Sequence, residues 1–270
     1  MPELPEVETI ARGLAKRLRG ELIESVWLGS KPEPLQSPAR EIAAALESKQ
    51  ISNVRRAGKH IVFDLASTRD GEGGAQWIVH LGMTGRLVVC PPDAEVAKHT
   101  HAIVRLSSGR ELRFVDPRRF GRLKVMKEFA ISGAEPLEIR QEEFAALFRG
   151  RRTPIKSALL NQNLLSGVGN IYADEALFRA GIRPRRRAAS LSRDELARLW
   201  RALRQVLKQA IRLGGSTVSS YVDADGQEGS FQLRHRVYGR GGKPCLTCKT
   251  PIRRIVLAGR SSHYCPKCQR

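Results

Sequence analysis

No stretch of the 270-residue chain is long and apolar enough to cross a bilayer. A secretory leader is missing too, because Glu3, Glu6 and Glu8 stand where such a leader carries Lys or Arg, and no apolar run follows them. Acidic charge is scarce: 27 Asp and Glu face 47 Lys and Arg, for a formal net charge of +20. That balance suits a polyanionic partner, with a solvated basic surface as the plain alternative. Cysteine is also scarce. Of five, Cys90 stands alone and Cys245, Cys248, Cys265 and Cys268 crowd the C-terminus, which argues for a metal in a reducing compartment over a disulfide framework. Repeats and low-complexity tracts are absent. The composition, 41% hydrophobic and 27% charged, is that of a globular protein, and the length fits two domains.

What is present begins with a helix. Leu4, Val7, Ile10, Ala11, Leu14 and Leu18 recur at helical spacing, with acids early, Lys16, Arg17 and Arg19 late, and Gly20 at the expected end. From Glu21 to about Met126 the texture changes to β-branched runs such as ESVWL, KHIVFDL, QWIVHL and GRLVVC, separated by turn clusters such as TRDGEGG and SSGR. That predicts a β-rich domain of the sandwich type. Around ISGAEPLEI the pattern loosens into a connector holding a short helix. A helical domain is then expected from Thr153-Pro154, read as an N-cap and first helical residue, with Asn170 capping a further helix, IYADEALFRA, that Gly181 ends. The clearest helix starts at the capping box Ser192/Glu195 and runs to Gly214-Gly215.

The tail reads CLTC, sixteen intervening residues, then CPKC, a spacing that fits a four-thiolate zinc site. Four thiolates leave zinc no open position for water, so one structural Zn2+ is expected at Cys245, Cys248, Cys265 and Cys268. From Phe231 to Arg270 there are ten Lys or Arg residues and no acid, which suggests phosphate contact. Taken alone, such a ribbon suits a ribosomal protein, a transcription factor or a repair enzyme equally.

With MPELPEVET at one end and this ribbon at the other, the chain resembles the formamidopyrimidine-DNA glycosylases, bacterial enzymes that excise oxidised purines. RRAGKHIVFDL, HLGMTG, KHTH, DPRRFG, TPIKSALLNQNLLSGVGNIYADEALFRAGI, GGST and VYGRGGKPC carry the resemblance along the whole length. It implies an α+β multidomain protein: an N-terminal catalytic β-sandwich domain over 1–130, a linker over 131–152, a helix–two-turns–helix DNA-binding domain over 153–230 and a zinc ribbon over 231–270. DNA is expected between the halves. The partner implied is duplex DNA with oxidised bases or abasic sites, met by a monomer in the bacterial cytoplasm at the nucleoid, with no membrane involved.

The resemblance also gives roles to residues. Pro2, once Met1 is removed, would be the nucleophile that expels the damaged base and leaves a Schiff base, followed by β- and δ-elimination. The chemistry is sound: terminal amines titrate near ~7.7 to 8.0 and lysine near ~10.4, so at pH 7.5 roughly a quarter of the former is neutral against about one lysine in a thousand. Glu3 would protonate the sugar ring oxygen and move protons during elimination. Taken alone, Pro2 and Glu3 read as an ordinary helix entry. Lys59 is matched to a lysine near the lesion that assists β-elimination, and Arg260 to a ribbon arginine that grips phosphate and is assigned to δ-elimination. A guanidinium suits bidentate phosphate binding better than proton donation. His99, Arg118, Arg151 and Asn170 map onto DNA-binding positions, although Asn170 also reads as a helix cap, and Arg151 and Arg152 stand where many relatives have lysines. Met83, Arg118 and Phe120 resemble the trio that enters the duplex when the nucleotide is flipped out. The segment from Tyr221 to Phe231 resembles the loop over the extruded base. Two rivals remain at this point: an endonuclease VIII-like glycosylase for oxidised pyrimidines, against which the opening MPELPEVET speaks, and a catalytically inactive zinc-ribbon DNA-binding protein.

Overall fold

A computed structural model describes residues 1–67, 74–217 and 227–270. Much of the expected base-covering segment, 221–226 of Tyr221–Phe231, lies outside the described residues. The chain forms two compact units, Met1–Ala130 with Gly214–Gly229, and Ile131–Leu213 with Ser230–Arg270.

The first unit opens with helix α1 (Leu4–Leu18). Its apolar stripe of Leu4, Val7, Ile10, Ala11, Leu14 and Leu18 is buried, each leucine contributing about 2 kcal/mol on removal from water. Gly20 follows its C-terminus at φ +89°, the left-handed conformation that a glycine adopts without Cβ strain. After it come β1 (Ile23–Leu28), α2 (Ala39–Leu46), β2 (Lys49–Ala57), β3 (His60–Ser67), β4 (Ala75–His80), β5 (Arg86–Cys90), β6 (Thr100–Leu106), β7 (Glu111–Val115) and β8 (Arg122–Met126). These strands make two four-stranded antiparallel sheets, ordered β1-β6-β7-β5 and β2-β3-β4-β8. Strand alternation sends Ile61, Phe63 and Leu65 of one sheet and Ala102, Val104 and Leu106 of the other into one core, where the rings of Phe63 and Trp77 lie 4.7 Å apart. The β-rich texture of the sequence thus yields a sandwich, with α1 packed on β2 and β3.

In the second unit, α3 (Gln141–Ala146) packs on the long α6 (Arg193–Arg212), and α4 (Ile155–Leu160) packs on α5 (Asn170–Ala180). Helix α5 is central: every residue from Ile171 to Phe178 is buried. Helix α6 is amphipathic and starts at the expected capping box, with Glu195 N–H donating to Ser192 Oγ at 3.2 Å and Ser192 N–H to the Glu195 carboxylate at 2.8 Å. Strands β9 (Arg253–Leu257) and β10 (Arg260–Tyr264) form an antiparallel hairpin beside the cysteines.

Two helix starts differ by one residue from the sequence reading. Pro154, not Thr153, is the N-cap of α4, because its ψ of 140° is extended and helical geometry begins at Ile155. Gly169, not Asn170, caps α5; Asn170 is the first helical residue, and its side chain turns to Ser261 Oγ at 3.3 Å.

Candidate active site

At the start of α1, the N-cap Glu3 is buried, and its backbone N–H donates to Glu6 Oε2 at 2.8 Å. The terminal amine beside it, carried here by Met1, is pushed below its ordinary 8.0. Burial is the main cause; Glu3 and Glu6 pull the value back up, and Lys59 and Arg118 press it down. These four side chains therefore act on one amine, which brings together Glu3, Lys59 and Arg118 of the residues the resemblance singled out. Next to them, the other Glu6 oxygen accepts from Ser216 N–H at 2.7 Å, tying the GGST segment to the same helix end. Gly215 there has φ +82°, and a Cβ would come within 2.9 Å of the Glu6 carboxylate.

Lys59 owes its place to a tight hairpin. Ala57 pairs with His60, so Gly58 and Lys59 form a two-residue turn with Gly58 at φ +60°. The turn is fastened to α1 by Arg56, which donates to Gly58 O at 3.2 Å and to Glu8 Oε2 at 2.7 Å. Burial alone would raise the Glu8 carboxyl, but Arg56 and Arg12 hold it below the usual range. Beneath Lys59 the rings of His60 and His80 lie 5.0 Å apart. Burial, with the nearby His60, Lys59 and Arg122, pushes His80 down to about 4, so it adds no positive charge around Lys59 at neutral pH.

The loop residues of HLGMTG and DPRRFG meet over one buried carboxylate. Asp116 accepts from Gly121 N–H at 2.7 Å, from Arg118 N–H at 3.2 Å and from the Thr84 hydroxyl, while its own carbonyl accepts from His101 Nε2 at 2.9 Å. Its N–H donates to His99 O at 2.9 Å, which sets the exposed His99 beside this turn. Gly82, at φ +61°, approaches the Phe120 backbone so closely that a Cβ would meet it at 2.5 Å. Met83 and Phe120 are held out to solvent at 42% and 48% exposure, with the Arg118 guanidinium over the Phe120 ring at 4.8 Å. Large exposed apolar side chains on braced loops are what a duplex wedge requires. Asp116→Asn would turn an amide toward these N–H donors, and it should destabilise the protein by about 2–4 kcal/mol, read from the denaturant midpoint.

In the second unit, the Sγ atoms of Cys245, Cys248, Cys265 and Cys268 all lie within 4.8 Å of one another, the one such cluster among the described residues. Cys245–Cys268 is 3.9 Å and Cys248–Cys265 is 3.4 Å. Tetrahedral zinc with bonds near 2.3 Å would set each sulfur pair about 3.8 Å apart, so the donor set fits the ion. Thr247 N–H and Cys268 N–H each point at a cysteine sulfur at 3.4 Å, a second layer that favours thiolates. Arg260 begins β10 and is exposed, and Asn170 reaches the adjoining Ser261. The Arg151 Nε donates to Leu147 O at 2.6 Å near the end of α3, and the residue is exposed.

Three family models match the chain in order: the formamidopyrimidine-DNA glycosylase N-terminal domain over residues 1–123, the H2TH domain of the same enzymes over 133–222, and a zinc finger found in FPG and IleRS over 242–270. A formamidopyrimidine-DNA glycosylase of Solibacter usitatus is 45% identical, with both chains covered completely. The chain belongs to the formamidopyrimidine-DNA glycosylase family. A crystal structure of MutM (Fpg) from Thermus thermophilus is similar at 44% identity and a TM-score of 0.87, covering 99% of this chain and 98% of that one. MutM in complex with DNA containing carbocyclic 8-oxo-G is similar at 33% identity and a TM-score of 0.89, over the whole of both chains. With the family's zinc finger matched and the sulfur geometry suited, the four cysteines hold one structural zinc.

Within this glycosylase family member, the sequence reading missed the residues that brace the site. Glu6 looked like an ordinary first-turn acid, and its capping-box spacing from Glu3 was the available signal. Asp116 could have been suspected from Asp-Pro at a turn. Nothing local in the sequence marks Glu8–Arg56, whose partners lie 48 residues apart.

Proposed function

We propose that the protein removes oxidised purines, 8-oxoguanine and formamidopyrimidines, from duplex DNA and then nicks the abasic strand by β,δ-elimination. The buried carboxyl of Glu3, set directly after Pro2 at the N-cap of α1 in a chain of this family, carries this reading. With Met1 removed, the amine is that of Pro2. Its lone pair attacks the anomeric carbon, the bond to the base breaks, and Glu3 protonates the sugar ring oxygen as the ring opens to an iminium. The iminium acidifies the neighbouring sugar proton. Its loss expels the 3′ phosphate, with Lys59 as the assisting cation, and a second elimination releases the 5′ phosphate, with Arg260 gripping the phosphate group. The helix start at Asn170 and the exposed His99 and Arg151 supply phosphate contacts, which position the duplex without reading its sequence. The zinc holds the ribbon's shape and takes no part in bond breaking. The domain assignments follow the roles: catalysis from 1–130, DNA binding from 153–230, the ribbon from 231–270 and a linker at 131–152. No helix among the described residues is long and apolar enough to cross a membrane, and the relatives are bacterial; we place the enzyme in the cytoplasm at the nucleoid, working as a monomer.

Arg118, stacked on Phe120, is the reader of the orphaned base in this scheme. Its donors match acceptors on cytosine better than the edge of adenine, so 8-oxoguanine should leave faster opposite cytosine. One base contact is worth ~1–3 kcal/mol, so Arg118→Ala should erode that preference about ten- to a hundred-fold. Single-turnover excision from the two duplexes checks this, with Arg151→Ala expected to weaken both about equally. An intact cytosine preference in Arg118→Ala would move the reading to another residue.

A further inference from the structure

Helix α5 carries two consecutive buried acids, Asp174 and Glu175, and both serve the ribbon. Glu175 accepts from the backbone N–H groups of Arg236, Val237 and Tyr238 at 2.9 to 3.0 Å, on the segment leading into the ribbon. Asp174 addresses β10. Its Oδ1 accepts from Lys156 Nζ at 2.6 Å, and its Oδ2 accepts from His263 N–H at 2.9 Å and lies 3.1 Å from His263 Nδ1. The same Lys156 ammonium donates to the Ser261 carbonyl at 2.7 Å. Lys156 and Asp174 have side chains exposed by only 1% and 0%.

Burying such a pair is a poor way to gain stability, since desolvating two charges offsets most of their attraction and an apolar pair of similar volume commonly does as well. What charges provide and methyl groups do not is direction. Here the directed bonds end on the main chain of β10, at the carbonyl of Ser261 and the amide of His263, immediately after Arg260. On the other side of Arg260 a two-residue hairpin turn is fixed by Ala258 at φ +46° and Gly259 at φ +73°. The backbone of Arg260 is thus held from both sides while its side chain stays exposed.

We propose that Asp174, acting through Lys156, is a positioning residue for Arg260: the ion pair fixes the β10 main chain so that the guanidinium meets the phosphate released in δ-elimination. The proposal rests on the assignment of Arg260 to that step. It concerns the β10 main chain and not zinc ligation, because the bonds described for the pair end on Ser261 and His263.

The test uses the full-length, zinc-loaded, Met1-processed enzyme and three variants: Asp174→Asn, the double variant Lys156→Met with Asp174→Asn, and Arg260→Ala. The double variant removes both charges while leaving an acceptor for the His263 N–H, so it guards against simple misfolding of the single one. Misplacing a catalytic group by about 1 Å costs up to about a hundred-fold. The ratio of δ- to β-elimination product should therefore fall about ten- to a hundred-fold in both Asp174 variants, with zinc at one per chain and borohydride trapping at saturating enzyme preserved. Amide hydrogen exchange over residues 260–264 should accelerate in step. Unchanged exchange in a zinc-replete double variant would show that the pair does not hold β10 and would overturn the clamp; a loss of zinc in both variants, or an equal fall in trapping and both eliminations, would overturn it by marking a merely structural pair. If Arg260→Ala leaves the product ratio unchanged, the role of Arg260 fails, and hydrogen exchange alone decides whether Asp174 holds β10.

Discussion

Borohydride should trap the processed enzyme on lesion-bearing DNA and should fail to trap a form that keeps Met1. Retaining one residue moves the terminal amine by up to one Cα–Cα step, about 3.8 Å, whereas reacting atoms must be placed to within about 1 Å to avoid losses of a hundred-fold. The expected loss of trapping rate is therefore at least about a hundred-fold. Glu3→Gln should reduce base excision by about a hundred- to ten-thousand-fold, the usual worth of a positioned proton donor, while DNA affinity stays largely intact. The pH dependence follows from the amine. Only its neutral form attacks, and terminal amines titrate near ~7.7 to 8.0, so trapping should rise with pH and level off by about pH 9. A rate still climbing steeply above pH 9 would point to a lysine-like amine instead. Full activity and normal trapping with Met1 in place would remove Pro2 from the mechanism.

How much of this was legible follows from where each signal resides. The stripe of α1, the capping box of α6 and the glycines at 20 and 181 are local patterns, and each fixes backbone within a few residues. The cysteine spacing was as informative, because a metal demands its donors in one place whatever the intervening chain does. The one-residue shift at Asn170 shows the limit of local reasoning. An asparagine before a helical run is a good cap, but Ser261, 91 residues away, offers its side chain a partner, and Gly169 takes the cap instead. The bracing carboxylates were invisible for the same reason. Asp174 and Glu175 sit in IYADEALFRA as if on a solvent face, yet their partners are ribbon main-chain groups some sixty to ninety residues later in sequence. In the first unit Glu6 does the same, accepting from the N–H of the distant Ser216, whereas Asp116 binds N–H groups of its own turn and reaches a separate segment through the Thr84 hydroxyl. A motif reveals the residues that touch DNA; it says little about the acids that aim them.

Losing a zinc ligand should have the other large effect, and the ribbon's own packing shows why. Its apolar cluster holds Val237 and Ile252 besides the cysteines, completed by Phe178 of α5. Three such side chains supply about 2 kcal/mol each. So small an apolar cluster leaves metal ligation as the main hold on the ribbon. Zinc binding, worth about 10–16 kcal/mol in isolated fingers, is then the folding energy of the ribbon. Cys265 is fully buried, its N–H donates to Gln269 Oε1 at 2.8 Å, and its sulfur receives the Cys268 N–H. Cys265→Ser replaces that thiolate with a hydroxyl that stays protonated, so the metal content should fall from one zinc per chain toward zero. The helices of the second unit have their own core around Tyr172, Leu177, Leu199 and Leu203, and the sandwich has another, so far-UV circular dichroism should change only slightly. DNA affinity should drop by at least about a hundred-fold, because the ribbon's cations lose their common scaffold. The slope of binding against salt should become shallower as those phosphate contacts disappear. Chelator treatment of the unaltered enzyme should reproduce all three changes. A Cys265→Ser protein that lacks zinc yet keeps full affinity and the original salt slope would show that DNA is gripped without the ribbon.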